Sequence, residues 1–318
     1  MQIRKTDIDS INLSDFSFNN SVFSSFEWIK KFDNHVFYLI YEKDNSVIGG
    51  FVIQKSSIVG YNIIKNLPYT PTISLFFNNK SKNYSNANSN TKHLMDCIAD
   101  FFDSSKNLIV KFALPFGFND LQPFIWRKYK VIPNYTYRLN LNNSIENLVG
   151  NMSPQRRNEL KKGDKDGIVV RRNFDNELVL SVINKTFDRK ELNVSTNILR
   201  RILFDFANES NSYSFVAFKN EQPIATTFCI YDNSVVYYLL GGYDNFNKHQ
   251  SGGAMCVWNS VIHAKEIGKA VFDFEGSMLK PVERYFRDFG GELSTYYTVN
   301  KAKLPIELLL KFIKREYF

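Results

Sequence analysis

Apolar and polar positions along the chain divide it into short strands and helices. Val36 to Tyr41 and Val47 to Ile53 are two apolar runs separated by Glu42-Lys43-Asp44-Asn45-Ser46, which predicts a hairpin. Leu94, Ile98, Phe101 and Phe102 fall at helical spacing and predict a helix over 91–102, whereas the Asn/Ser tract 81–90 before it reads as a loop. Strand-like runs follow at 108–114 and 135–141. Ser153-Pro154 is a helix start, with a capping hydroxyl and a proline at the first helical position, and Gly167 marks its end. From Ile168 onward the pattern predicts a strand, helices over 176–187 and 196–208, and three strands over 213–219, 224–231 and 234–240. A helix opening near Ser251, a strand over 270–274, a helix over 282–289 and a strand over 294–299 complete it. The order is β-α-α-β-β-β-α-β-α-β.

The stretch 234–297 carries the candidate chemistry. An apolar strand, Val235 to Leu240, is followed by Gly241-Gly242, which reads as the strand end, and by a polar loop. Gln250-Ser251-Gly252-Gly253-Ala254 then opens a helix in which Ala254, Val257, Trp258, Val261 and Ile262 recur at steps of three and four. A first helical turn has unpartnered N–H groups and partial positive charge, so such a start can hold an anion, with Lys248 just upstream. A tight turn with a serine cap accounts for the same residues. The helix over 153–166 carries Arg156, Arg157 and Lys161; these are either a solvated basic face or a clamp for phosphates.

Composition narrows the classes. The 318 residues, 44% hydrophobic, suffice for two domains, expected at 1–142 and 143–318. No apolar run approaches the roughly 20 residues of a membrane span. Cys97, Cys229 and Cys256 show no disulfide spacing, and four histidines form no ligand motif, so a cytoplasmic protein without a metal site is expected. A net charge of +8 suits an anionic partner, such as a nucleotide, a lipid-linked precursor or tRNA. The 15% aromatic content falls mostly at strand-periodic positions such as Phe215, Phe228 and Tyr238, which indicates core packing. His249 and His263 read as a loop residue and a helix-surface residue.

A strand that feeds an anion-holding helix start, within this order of elements, resembles the GNAT acyltransferase fold. In that family the pantetheine arm of acyl-CoA lies between two splayed strands, and its pyrophosphate rests on amides of the following loop. The resemblance places the donor against Leu239, Leu240, Lys248, Gln250, Ser251, Gly252, Gly253 and Ala254. The Q/R-x-x-G-x-G/A signature is matched at Gln250 and Gly253, but its second glycine is Met255 here. Phe272-Asp273-Phe274-Glu275-Gly276-Ser277 and Phe286-Arg287-Asp288-Phe289-Gly290-Gly291 resemble the Fem-like branch, as does the basic helix. This implies tandem GNAT-like domains, each a mixed, mostly antiparallel sheet flanked by helices, with the first lacking a donor site. The tyrosine that protonates the leaving thiolate in many GNAT enzymes corresponds to Phe286. Tyr285 is one residue off and points elsewhere on the helix, and Tyr296 and Tyr297 are further candidates.

Transfer to an amine requires a base and an oxyanion donor. Glu275, at a strand end beside Phe272 and Phe274, is the candidate base, and Asp273 a partner that orients it or binds the acceptor; either could instead cap the following turn. A backbone N–H near Leu239 or Leu240 is the candidate oxyanion donor. The reading is an N-acyltransferase moving an acetyl or other acyl group from acyl-CoA to an amine of a cell-envelope or nucleotide-sugar precursor. An aminoacyl-tRNA-dependent transferase and a catalytically inactive binding protein are the alternatives.

Overall fold

The computed structural model describes residues 1–7, 9, 21–189, 196–244, 246–247, 249–276 and 278–313. They form two compact units, 1–134 with 295–318 and 135–294, so the division falls before the expected boundary at 142 and returns the C-terminal segment to the first unit. The reason is strand pairing. The strand that closes the N-terminal third pairs within the second unit, and the last strand pairs within the first.

In the first unit β1 (Gln2–Thr6), β2 (His35–Tyr41), β3 (Val47–Ile58), β4 (Tyr61–Lys65) and β6 (Asn107–Leu114) lie side by side, and β5 (Ser74–Phe77) pairs with β3. Only β4 and β6 are parallel, and β13 (Glu292–Ala302) runs antiparallel to β6. Short helices α1 (Phe26–Ile29) and α3 (Gln122–Trp126) flank this sheet. The core joins Phe51, Phe102, Phe112 and Phe124 to Leu94 and Ile98. These last two lie on α2 (Tyr84–Ser104), a single helix that absorbs the polar tract read as a loop. Its first turns touch no core, so they show no apolar period. Instead Asn83 accepts from Asn86 N, and the Asn79 amide donates to Ala87 O at 2.8 Å.

The second unit contains β7 (Lys130–Asn140) from its residue 135 onward, α4 (Ile145–Asn151), α5 (Pro154–Lys165), β8 (Val169–Asn173), α6 (Asn176–Arg189) and α7 (Thr196–Arg200). β9 (Ser212–Lys219), β10 (Gln222–Tyr231), β11 (Val235–Tyr243), α8 (Gly252–Glu266), β12 (Val271–Asp273) and α9 (Lys280–Arg287) follow. Its sheet order is β7-β12-β11-β10-β9-β8, antiparallel except for β11 with β12. Ser153 caps α5, and Gly167 and Gly268 take positive φ just after α5 and α8, as their sequence positions predict. The helix expected over 196–208 instead widens after Arg200 into a π turn over Arg201–Phe206, whose Ile202, Leu203 and Phe206 are buried. A last helix, α10 (Leu304–Ile313), belongs to the first unit and was not foreseen.

β11 does not stop at its glycine pair but runs through it. A β-carbon on Gly242 would lie 2.6 Å from Val182 O and 2.7 Å from Ile183 Cα, both backbone atoms of α6. Gly242→Ala must therefore push α6 off the sheet, with an expected loss of about 1–3 kcal/mol. Gly150, near the end of α4, has open space around it, and Gly150→Ala is expected to gain up to about 1 kcal/mol. Denaturant midpoints of the two variants check both signs.

Candidate active site

The site begins where β11 and β12 part. The two strands pair in parallel only from Val235 with Val271 to Tyr237 with Asp273, while β11 continues six residues further against β10. The register with β10 steps between Phe228–Leu240 and Cys229–Tyr238, so Leu239 has no opposite residue. A bulge of this kind leaves the extra residue's backbone unpaired and tightens the local twist. It also shifts the alternation of faces by one. Tyr238 and Gly241 thus come to the same face, and a β-carbon on Gly241 would fall 1.7 Å from the Tyr238 hydroxyl. Glycine is required there because the hydroxyl end of the tyrosine abuts it. Leu240 is buried and paired with Phe228, which leaves Leu239 as the better placed of the two expected oxyanion donors.

Asp244 organises the turn from β11 towards α8. Its carboxylate accepts from Lys185 Nζ at 2.8 Å and from Phe246 N at 2.8 Å. The lysine bond above all holds its carboxyl down at about 2. Lys248, expected beside the helix start, lies outside the described residues, as does Ser277. Gln250 is exposed. His249, expected as a plain loop residue, joins two elements: Nε2 lies 2.9 Å from Asp166 Oδ2, and Nδ1 accepts from Ser251 N at 3.2 Å. A backbone N–H can only donate, so the ring proton sits on Nε2 and is given to Asp166.

Ser251 departs from the expected capping role. It precedes α8 in helical geometry, makes no side-chain cap bond, and is fully buried with its hydroxyl unpartnered. Gly252 packs against β10, where a β-carbon would meet Ile224 Cδ1 at 2.9 Å. Gly253 is more open: only the Tyr285 hydroxyl, at 3.3 Å, would touch its β-carbon. Ala254 is buried in the core below. The N–H groups of Gly253 and Ala254 have no acceptor among the described residues. Met255, at the place of the signature's second glycine, faces α5 instead, where its sulfur would lie 2.1 Å from a β-carbon on Gly163.

α9 supplies the tyrosine. Phe286 is buried between Tyr238 and Phe274, at ring distances of 5.5 and 5.1 Å. Tyr285 does not point away as its position suggested; its hydroxyl reaches the open start of α8. Burial raises its pKa well above that of a free phenol, against the opposing pull of Arg156, so it holds its proton. Desolvation raises Tyr238 likewise, with the neighbouring Tyr285 adding to it.

The basic helix is placed differently from a phosphate clamp. Arg156 is 3% exposed, with its guanidinium 4.3 Å from the ring centres of both Tyr285 and Phe289, and it donates to Tyr285 O at 2.9 Å and to Glu159. Arg157 donates to Gly150 O at 3.0 Å and Met152 O at 2.8 Å, satisfying the end of α4. Lys161 alone of the three is exposed with no bonded partner among the described residues. Packing absorbed the arginines because the flat guanidinium covers aromatic faces and caps carbonyls equally well.

At the end of β12, Asp273 is 2% exposed. It accepts from Thr136 Oγ1 at 2.6 Å and from Glu275 N at 2.9 Å, and pairs with Arg138 Nε at 3.2 Å. The bond to Glu275 N holds a turn in which Glu275 and Gly276 both take positive φ, 60° and 71°. Gly276 is needed there, since a β-carbon would lie 2.3 Å from Tyr135 O. Glu275 is half-buried. Desolvation raises its pKa well above the carboxylate range, the Asp273 charge adds to this, and Arg138 opposes it. Left-handed φ at a non-glycine residue costs energy, and here it re-aims a carboxyl that prefers to stay protonated.

The structure thus brings Tyr285 to Gly253, and Asp273 to Glu275. The sequence reading missed Tyr238, His249, Asp244, Thr136 and Arg138. For Tyr238 the available signal was a glycine three residues on, which a strand needs only if a bulge turns both to one face. Cys229 and Cys256 are buried; desolvation pushes the Cys229 thiol up to about 12, so neither is a nucleophile. Among the described residues no cluster fits a metal ion, and no helix is long and apolar enough to cross a membrane.

Residues 155–287 match the family model described as an acetyltransferase (GNAT) domain. No curated protein sequence matches the chain. FemX shares its fold, with a TM-score of 0.67 at 13% identity over 98% of this chain and 100% of that one. So does the C-terminal domain of a putative lysylphosphatidylglycerol synthetase from Agrobacterium fabrum, with a TM-score of 0.58 at 9% identity over 93% of each chain. A tandem GNAT protein from the clavulanic acid biosynthesis pathway gives 0.53 at 8% identity over 84% of this chain and 82% of its own. The parted strands and the open helix start fall within the segment that matches the GNAT acetyltransferase domain, and the chain shares the fold of FemX and of the tandem GNAT protein.

Proposed function

We propose that the protein is an N-acyltransferase that takes its acyl group from acyl-CoA, acetyl-CoA being the simplest, and passes it to an amine on an anionic cell-envelope or nucleotide-sugar precursor. The observation that carries the donor assignment is the open first turn of α8, where the N–H groups of Gly253 and Ala254 have no acceptor among the described residues and the Tyr285 hydroxyl lies against Gly253. Diphosphate oxygens fit the helix start, and the thioester carbonyl fits the parted strands with its oxygen towards Leu239 N–H. Glu275 takes the proton from the attacking amine. The amine nitrogen bonds to the carbonyl carbon, the tetrahedral intermediate collapses, and the departing thiolate receives the proton of Tyr285. In the first unit the N-terminal turn of α2 is closed by Asn83, which supports a single donor site in the second.

A lipid-linked or soluble acceptor fits equally the exposed Lys161. The second reading is an aminoacyl-tRNA donor. What favours it is Met255, whose side chain packs on Gly163 where the acyl-CoA signature has a glycine.

Thermal unfolding with acetyl-CoA, CoA, ATP and charged tRNA separates the donors. A ligand at a hundredfold excess over its dissociation constant stabilises by about 2.7 kcal/mol. The expected result is stabilisation by both CoA species and not by ATP, lost in Gly253→Glu. A shift with charged tRNA alone, weakening steeply with salt, would move the assignment to the second reading. Tyr285→Phe should bind CoA normally while transfer falls about 100-fold.

Glu275 generates a pH prediction with a definite sign. Its carboxyl is raised in the folded protein, so the active base forms only as pH climbs, and transfer should rise with pH through that range. The unfolded chain loses this proton first, near pH 4.3, so stability falls as pH rises from there towards the folded value. Melting temperatures of wild type and Glu275→Gln should diverge in that window, with the variant lacking the fall. Asp273→Asn keeps an acceptor for Glu275 N but removes the like charge, and should move the acid limb of the activity profile to lower pH.

A further inference from the structure

α10 has no buried residue, although eight of its ten residues are apolar or proline. Ile306 and Leu310 are partly covered. The remaining arc, Leu304, Leu308, Leu309, Phe312 and Ile313, faces solvent, with Leu304 at 75% and Phe312 at 89% exposure. On a helical wheel these positions, with Pro305, span about half the circumference, wider than the stripe a helix needs to pack on its own domain. Every other helix of eight or more residues for which burial is described keeps at least one residue buried.

A second apolar projection lies beside it. The turn from β3 to β4 carries Ile58 and Val59 at its tip, Val59 being 92% exposed with φ of 48°. Left-handed φ is least favourable for a β-branched residue, and no packing compensates it here. Lys303, immediately before α10, holds its Nζ 3.9 Å above the ring of Tyr61 in the same hairpin, so tip and helix form one surface. Cations rim it: Lys303, Lys311 and, where the turn meets β6, Lys106, whose carbonyl accepts from Asn62 N. The sequence continues with Lys314 and Arg315. Glu307 is the single acid of the helix and is paired with Lys311 at 2.8 Å.

We propose that α10 and the Ile58–Val59 tip form a docking surface for an anionic lipid bilayer, with the helix lying in the headgroup boundary. Ten residues reach about 15 Å, half the hydrocarbon thickness, so the helix lies along the surface and does not cross. Apolar side chains on one arc with lysines at its margins are the pattern of interfacial helices, where burial and attraction to anionic lipid act together. The same cations disfavour a second copy of the chain as occupant, since a two-fold contact would bring like charges face to face. An enzyme held this way meets lipid-linked acceptors at the surface, but the docking stands or fails independently of the transfer chemistry.

The test is flotation of the full chain with vesicles of phosphatidylcholine alone or with 30% phosphatidylglycerol. Binding to the phosphatidylglycerol vesicles only, weakened by salt, is expected. Leu308→Glu with Phe312→Glu should lower the partition coefficient at least tenfold without changing the melting temperature, because both side chains are already exposed. Val59→Asn removes the apolar tip while suiting left-handed φ, so it should weaken binding several-fold in a protein at least as stable. The proposal is overturned if the wild type does not float with anionic vesicles, or if the double variant binds them equally. It is also overturned if light scattering shows a dimer that these substitutions dissociate while vesicle binding is absent.

Discussion

The second unit depends on a parallel strand pair that is allowed to fail after three residues. β11 and β12 pair from Val235 to Tyr237, and then the bulge at Leu239 twists β11 away while it stays bonded to β10. Parting a sheet exposes backbone groups that a closed sheet would satisfy, and such groups are costly to bury unpaired. Side chains pack around the opening. Tyr238 lies over Gly241, Phe286 and Phe274 close beneath it, and α6 seals the far face against Gly242. One extra residue in one strand therefore explains why Tyr238 meets position 241 and why that position is a glycine.

The charges around the opening follow a second constraint, that buried ions need partners. Arg156 is taken up between two aromatic rings and Glu159, and Asp273 between Thr136, Arg138 and the amide of Glu275. Glu275 is the exception. Its nearest charges are an aspartate that opposes ionisation and an arginine already engaged with that aspartate, so its proton is held tightly. A carboxyl in that state, on a turn with left-handed geometry, keeps its proton where an ordinary glutamate has lost it. Tyr285 is poised the other way, desolvated and protonated beside the helix start.

Much of this order was legible in the residues. Ser153-Pro154 and Gly167 marked the ends of α5, Gly268 marked the end of α8, and the elements from Ile168 to β13 followed their apolar periods except for the π turn over Arg201–Phe206. Local steric and hydrogen-bonding rules act within a few residues, so a sequence carries them directly. The motifs around Gly253 and Glu275 were visible for the same reason, since each is a run of neighbours whose backbone geometry is set locally.

What the sequence could not decide was where long side chains end. Arg156, Arg157 and Lys161 look alike in a helix of charges, yet contacts with Phe289, Met152 and solvent separate them. Tyr285 seemed one residue out of place, until the packing of α9 on Phe274 and Tyr238 set the rotation that aims its hydroxyl at Gly253. The N-terminal polar tract gave no period because its turns of α2 touch no core, and β7 and β13 revealed their partners only through pairing across some 130 to 190 residues. Short-range backbone preferences are written along the chain. Side-chain placement and strand partnership arise from contacts between distant residues, and only the folded chain sets them.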